Sequence, residues 1–151
     1  MGKNAGTRGF PGHVDRGAEP FVVNINAITR ANINFRTALW TGDHLQLTLM
    51  CIGAGEEIGL EMHPDVDQFL CVQEGGGYVA MGNNQRRLVC RSCLRENCAI
   101  LIPAGTWHNV INSGKKPLKL YSIYAPPQHP RGTVHITREM AEEGEHPTPC
   151  V

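Results

Sequence analysis

Residues 103–112 read Pro103-Ala104-Gly105-Thr106-Trp107-His108-Asn109-Val110-Ile111-Asn112. Pro103-Ala104-Gly105 is a turn signal that splits two β-prone runs, Ala99 to Ile102 before it and Trp107 to Ile111 after it. His108 therefore sits near the start of a strand, directly behind a tight turn.

Working outward, the same short-strand rhythm continues on both sides. Downstream, Ser113-Gly114 turns into Leu118 to Tyr124, and Pro126, Pro127 and Pro130 end regular pairing. Upstream, Leu88 to Cys90 is expected to pair with Tyr78 to Met81 across the hairpin turn Gly82-Asn83-Asn84. Gln68 to Gln73 is a strand closed by Gly75-Gly76-Gly77, and another runs through Gly59 to His63 until Pro64. His44 to Ile52 alternates, with Leu45, Leu47, Leu49 and Cys51 on one face and Gln46, Thr48 and Met50 on the other. Gly42-Asp43 joins it to Phe35–Thr41. Many short strands at near-even spacing mean an all-β barrel or sandwich.

The one helix expected is Arg138 to Glu143, with Thr137 as its N-cap. Residues 1–19 are rich in Gly and charge, lack an apolar period and read as a flexible lead-in, with Phe21-Val22-Val23 opening the ordered part. Residues 20–136 make one barrel, and 137–151 a short helix with a loose tail.

Composition narrows the function classes. Fourteen basic and fourteen acidic residues balance, so no electrostatic case for nucleic acid exists. No apolar run approaches the roughly 20 residues of a membrane helix, and no hydrophobic stretch follows Met1 to Gly9, so a cytoplasmic protein is expected. The cysteines then read as free thiols. Cys90 and Cys93 have the gap of half a zinc knuckle, and Cys98 follows, but no second Cys pair completes it.

The chemistry concentrates in four residues. Inward positions on a strand are two apart, which suits Glu61 and His63 with Met62 turned away. Gln68 opens the next strand after Pro64-Asp65-Val66-Asp67, and His108 arrives from much later. A hairpin plus a later strand can bring Glu61, His63, Gln68 and His108 around one point. Two imidazoles and a carboxylate are a sound set for a divalent transition metal (Fe, Mn, Zn or Ni), with positions left open to substrate. Asp67 is the substitute for Gln68, since one residue of slack in the turn would aim it inward. His129 and His135 lie in a Pro-rich segment that can fold over a barrel mouth.

These residues fall in a register that resembles the cupin superfamily. Gly55, Glu61-Met62-His63, Gln68 and Gly75 follow its first motif, and Asn97, Pro103-Ala104-Gly105, His108 and Asn112 its second. Asn97 stands where the family has Gly, a mild change because Asn tolerates left-handed backbone. The family usually offers three His and one Glu; here the carboxylate moves to Glu61 and a neutral Gln68 takes its place.

The resemblance implies a single cupin β-barrel (double-stranded β-helix, or jelly roll) that pairs as a homodimer and holds a small molecule in its lumen. The whole chain also looks like short bacterial cupins labelled mannose-6-phosphate isomerase-like. That implies a metal-dependent enzyme acting on a small polar substrate such as a sugar or sugar phosphate, with Glu61 and His108 as catalytic residues and Arg36, Lys116 or Arg131 as a cationic grip. A metal-free binding or sensor cupin and a metal-dependent oxygenase are the alternatives.

Overall fold

The computed structural model describes residues 14–145. It contains β1 (Arg36–Thr41), β2 (Gln46–Ile52), β3 (Asp67–Glu74), β4 (Gly77–Gly82), β5 (Cys90–Leu94), β6 (Ala99–Ile102), β7 (Trp107–Ile111), β8 (Leu118–Ala125) and β9 (Val134–His135). Two helices, α1 (Ile25–Ala31) and α2 (Arg138–Glu145), flank them. The strands form a six-stranded sheet, β6-β3-β8-β2-β1-β9, and a three-stranded one, β5-β4-β7. One apolar cluster lies between them, with Met50, Leu70 and Leu120 from the large sheet and Val79, Leu94 and Val110 from the small one. Strand spacing implied an all-β barrel or sandwich and the cupin resemblance a jelly roll, and the all-β jelly-roll barrel is what forms.

Strand register stacks the inward side chains in rows. Gln46, Tyr124, Gln68 and Ile102 are paired across four strands. Thr48, Ser122, Leu70 and Ile100 form the next row, and Met50, Leu120 and Val72 the one after. The face of β2 that carries Gln46 and Thr48 therefore points into the barrel, where both are fully buried. Burying such groups is costly unless something bonds them. One end of the lumen is polar and the other apolar, and the polar end holds the chemistry.

Several sequence expectations change. No regular strand forms over 59–63: Gly59 takes φ +104°, and isolated bridges at Glu57–Ile111 and Glu61–His108, with Gly59 N–H donating to the Asn109 side chain at 3.0 Å, join this segment to β7. The strand expected at 88–90 lies at Cys90–Leu94. Asn84 accepts from the backbone N–H groups of Arg86 (2.9 Å) and Arg87 (3.0 Å), and this longer turn moves the pairing to Met81 with Cys90. Of the expected lead-in, Asp15 and Gly17 are buried, while their neighbours in 14–19 are exposed. Asp15 there is buried and accepts from Gly17 N, Thr41 Oγ1 and Gly132 N at 2.6–3.0 Å. The rest of the lead-in, and the tail beyond 145, lie outside the described residues.

Helix α1 was not foreseen. Its seven residues are too few to display a helical period, but Asn24 caps it by accepting from Ala27 N at 3.0 Å. It is tied to the large sheet by Asn26 on Gln73 (2.9 Å) and by Arg30 near Glu74 (3.4 Å). Helix α2 begins where expected, with Thr137 accepting from Met140 N at 3.4 Å.

Candidate functional site

The turn at 103–106 and the extended segment at 61–63 are bonded to each other, which fixes the site. Gly105 at φ +80° donates its N–H to the His63 carbonyl at 2.8 Å. Glu61 and His108 exchange both backbone hydrogen bonds, at 3.0 and 2.9 Å. Asn112, fully buried at the end of β7, donates to the carbonyls of Ile52, Gly53 and Lys116 at 2.8–3.0 Å. Asn97, in the second motif's first position, takes φ +67°, as its tolerance of left-handed backbone allows.

Within this frame Glu61, His63 and His108 converge, with their ligand atoms all within 4.8 Å of one another. His108 and His63 are buried, and the Glu61 side chain is 19% exposed. Glu61 Oε1 lies 3.2 Å from His108 Nε2 and 3.5 Å from His63 Nε2. Burial alone would raise the Glu61 carboxyl's pKa, but hydrogen bonds and charge from His108 and His63 outweigh it. The group is held well below the usual carboxylate range.

The protons on His108 decide what this cluster can hold. Its Nδ1 lies 2.9 Å from the Thr106 carbonyl, which can only accept, so Nδ1 carries a hydrogen. In the neutral ring, Nε2 is then a bare lone pair facing a carboxylate oxygen at 3.2 Å. Two acceptors in contact need a cation between them, either a proton or a metal ion. His63 Nε2 is buried beside the same oxygen with no hydrogen-bond partner. A backbone carbonyl fixing the tautomer of a ligating His is the usual support of a metal-bound imidazole. The donor set fits a divalent transition metal.

The other expected ligands fall differently. Gln68 is buried in the lumen beside Tyr124, donates Nε2 to Ser122 Oγ at 2.9 Å and leaves Oε1 without a partner. Asp67 is exposed and accepts from Ala104 N at 2.9 Å, so it braces the 103–106 turn and cannot replace Gln68. Strand alternation turns it outward, opposite to buried Gln68. Cys90 and Cys93 are exposed free thiols, and among the described residues they join no metal-ligating group.

Other residues complete the lumen. Tyr124 packs its ring edge-on to His63 (centroids 5.8 Å) and His129 (5.1 Å). Burial raises its pKa, so its phenol stays protonated. The Pro-rich segment does fold over the barrel. Gln46 accepts from His129 N at 2.9 Å and donates to the His129 carbonyl at 2.8 Å. Burial, then the Arg36 charge, lowers the His129 pKa to about 3. Arg36 is buried, with Nη1 3.2 Å from His135 Nδ1. Tyr124 reads from sequence as packing, and the polar parity of Gln46 and Thr48 was the signal that this wall faces a ligand space. A separate apolar groove, lined by Phe69, Leu101, Pro103 and Ile123, lies on the outside of the β3-β6-β8 wall.

A β-barrel with two motif-borne imidazoles and a carboxylate at its polar end defines the class. Residues 48–124 match the family model for the cupin domain, and the chain belongs to the cupin family. It is similar to the uncharacterized protein YrkC of Bacillus subtilis (strain 168), 59% identical over 131 residues, covering 87% of this chain and 70% of the relative. The crystal structure of BH2720 from Bacillus halodurans is 62% identical with a TM-score of 0.85, covering 86% of this chain and 98% of that one. An uncharacterized Klebsiella pneumoniae protein with a double-stranded β-helix domain shares the fold at 19% identity and a TM-score of 0.59, over 79% of this chain and all of that one. Among the described residues, no helix is long and apolar enough to cross a membrane.

Proposed function

We propose that this protein is a metal-dependent cupin enzyme that takes a small polar molecule into its barrel. The observation that carries this is the convergence of Glu61, His63 and His108, ligand atoms within 4.8 Å of one another, with His108 Nδ1 on the Thr106 carbonyl and its Nε2 turned to Glu61 Oε1. Glu61, His63 and His108 would hold the ion. When bound, it supplies Lewis-acid polarisation of a ligand oxygen.

The chain's own residues do the rest. Gln68 offers an unpartnered Oε1 to a ligand hydroxyl, and Tyr124, its phenol kept protonated by burial, packs its ring edge-on to His63. The segment fastened by Gln46 over His129 shields this end from water. Glu61 and His108 are the residues proposed to stand at the reacting atoms. An isomerase-like reaction on a sugar or sugar phosphate is the finer form of the proposal, supported by the resemblance to isomerase-like cupins.

Elemental analysis of protein purified without chelator tests the reading. About one equivalent of Mn, Fe, Ni or Zn is expected, lost in Glu61→Ala and in His108→Ala. Metal-free wild type that also refuses each added ion would instead make this a binding cupin without metal.

A further inference from the structure

We propose that Arg36 builds an anion subsite in the same lumen, so that the small molecule held there carries a carboxylate. The proposal rests on the metal-centre reading for the ligand's other anchor, but Arg36 itself lies outside both cupin motifs.

Arg36 pairs across the sheet with Met50, whose side chain is in the core cluster, so its own side chain starts on the inward face. The guanidinium does not escape to solvent: the residue is 2% exposed. Among the described residues it meets no carboxylate within ion-pair distance. Its contacts, all without charge to offset its own, are the Nδ1 of His135 at 3.2 Å, the Phe35 ring at 5.4 Å and the Tyr124 phenol. Because a guanidinium only donates, His135 must accept and stay neutral there, giving no compensating charge. Arg36 Nε is buried with no partner at all.

An arginine has a pKa too high to escape by losing its proton, so burial without a counter-ion is costly. A protein that keeps one in its barrel gains from it when an anion arrives.

The surroundings locate that anion. The Arg36 charge acts on Tyr124 and on His129, and both also feel Glu61. Tyr124 in turn touches His63. Tyr124, in contact with Arg36 on one side and with His63 on the other, thus links the guanidinium to the candidate metal centre. Further buried polar atoms without partners belong to the same wall. Thr48 Oγ1 sits in the row between Arg36's own and that of Tyr124, and Gln68 Oε1 belongs to the Tyr124 row. A planar carboxylate matches the guanidinium fork, with the Thr48 hydroxyl as a further donor. The ligand's remaining oxygen is then free to face Glu61, His63 and His108.

The test uses full-length wild type, Arg36→Met and Arg36→Lys, each metal-free and Mn-loaded. Sodium acetate, its neutral isostere acetamide and inorganic phosphate are titrated at matched ionic strength, and binding is read by calorimetry and by the thermal midpoint. Acetate is expected to bind wild type and raise its midpoint while acetamide does not. Arg36→Met should weaken acetate binding by about tenfold or more, with Arg36→Lys intermediate. Mn titration of the same samples separates the two readings. If Mn binds wild type and Arg36→Met alike but acetate gives no Arg36-dependent response, the anion subsite is overturned and the metal centre stands. If Mn fails to bind wild type while acetate binding depends on Arg36, the metal reading falls and the subsite stands. A response to phosphate alone, or equal responses to acetate and acetamide, overturns the carboxylate assignment. If Arg36→Met does not fold, the comparison of wild type with Arg36→Lys decides: acetate binding unchanged in Arg36→Lys overturns the subsite, and weakened binding supports it.

Discussion

Acid should destabilise this protein, and His129 should carry a measurable share of the effect. Its imidazole packs on Tyr124 near Arg36, and its pKa is lowered from 6.5 to about 3, first by burial and then by the Arg36 charge. The folded state thus keeps the ring neutral, while the unfolded chain takes up a proton near its ordinary pKa. Stability from this source is complete above pH 6.5 and is lost as pH falls towards 3. From pH 7 to pH 5 the loss amounts to about 2 kcal/mol, trimmed to roughly 1–2 kcal/mol by screening of the part-exposed ring. Urea unfolding followed by far-UV circular dichroism, with chelator present and between pH 5 and 7.5, measures it. That window lies above the range where Glu61, whose pKa is also lowered, would add an acid-sensitive contribution of the same sign. His129→Gln keeps the main-chain bonds to Gln46 and removes the titration, so its stability should vary less with pH by this amount. Equal pH slopes in the two proteins would refute the reasoning, whatever their difference at neutral pH.

Other outcomes follow from the same geometry. Asn112→Ala strips hydrogen bonds from one buried and two part-buried carbonyls on two neighbouring segments and should cost about 3 kcal/mol, a fall of roughly 10 °C in thermal midpoint. Calorimetry showing under 1 kcal/mol would remove Asn112 as the clamp of this turn. Gly105→Ala meets no steric obstacle but forces a side chain onto φ +80°, so about 1–2 kcal/mol is expected from chemical denaturation. Asn97→Gly, at φ +67°, should be near neutral by the same assay. Sedimentation velocity is expected to find the homodimer that the family resemblance implies, and a monomer at all concentrations would contradict it.

What could be read from sequence divides by the range of the interaction. Strands bounded by Pro, Gly or paired turns, such as Ala99–Ile102 and Trp107–Ile111, came out at their true limits because their punctuation is local. The two-residue spacing of Glu61 and His63 and the motif position of His108 anticipated that these three side chains meet, although the strand expected under the first pair is only an extended segment bridged to β7. Asp67 went astray because inward and outward differ by one residue of register, and its bond to Ala104 settles that register. Arg36 was legible as a possible grip but not as a buried cation. Its burial depends on β9 and the Pro-rich segment folding back from a hundred residues away, a contact with no local signature.

The account turns on Glu61, His63 and His108 closing on a single ion. The most direct measurement is an anomalous-scattering map from crystals grown with Mn(II), recorded on both sides of the manganese absorption edge. One peak should lie at roughly 2.0–2.3 Å from Glu61 Oε1 and the Nε2 atoms of both histidines. A fully loaded crystal with its peak elsewhere, for instance at Cys90 and Cys93, or with none inside the barrel, would contradict it.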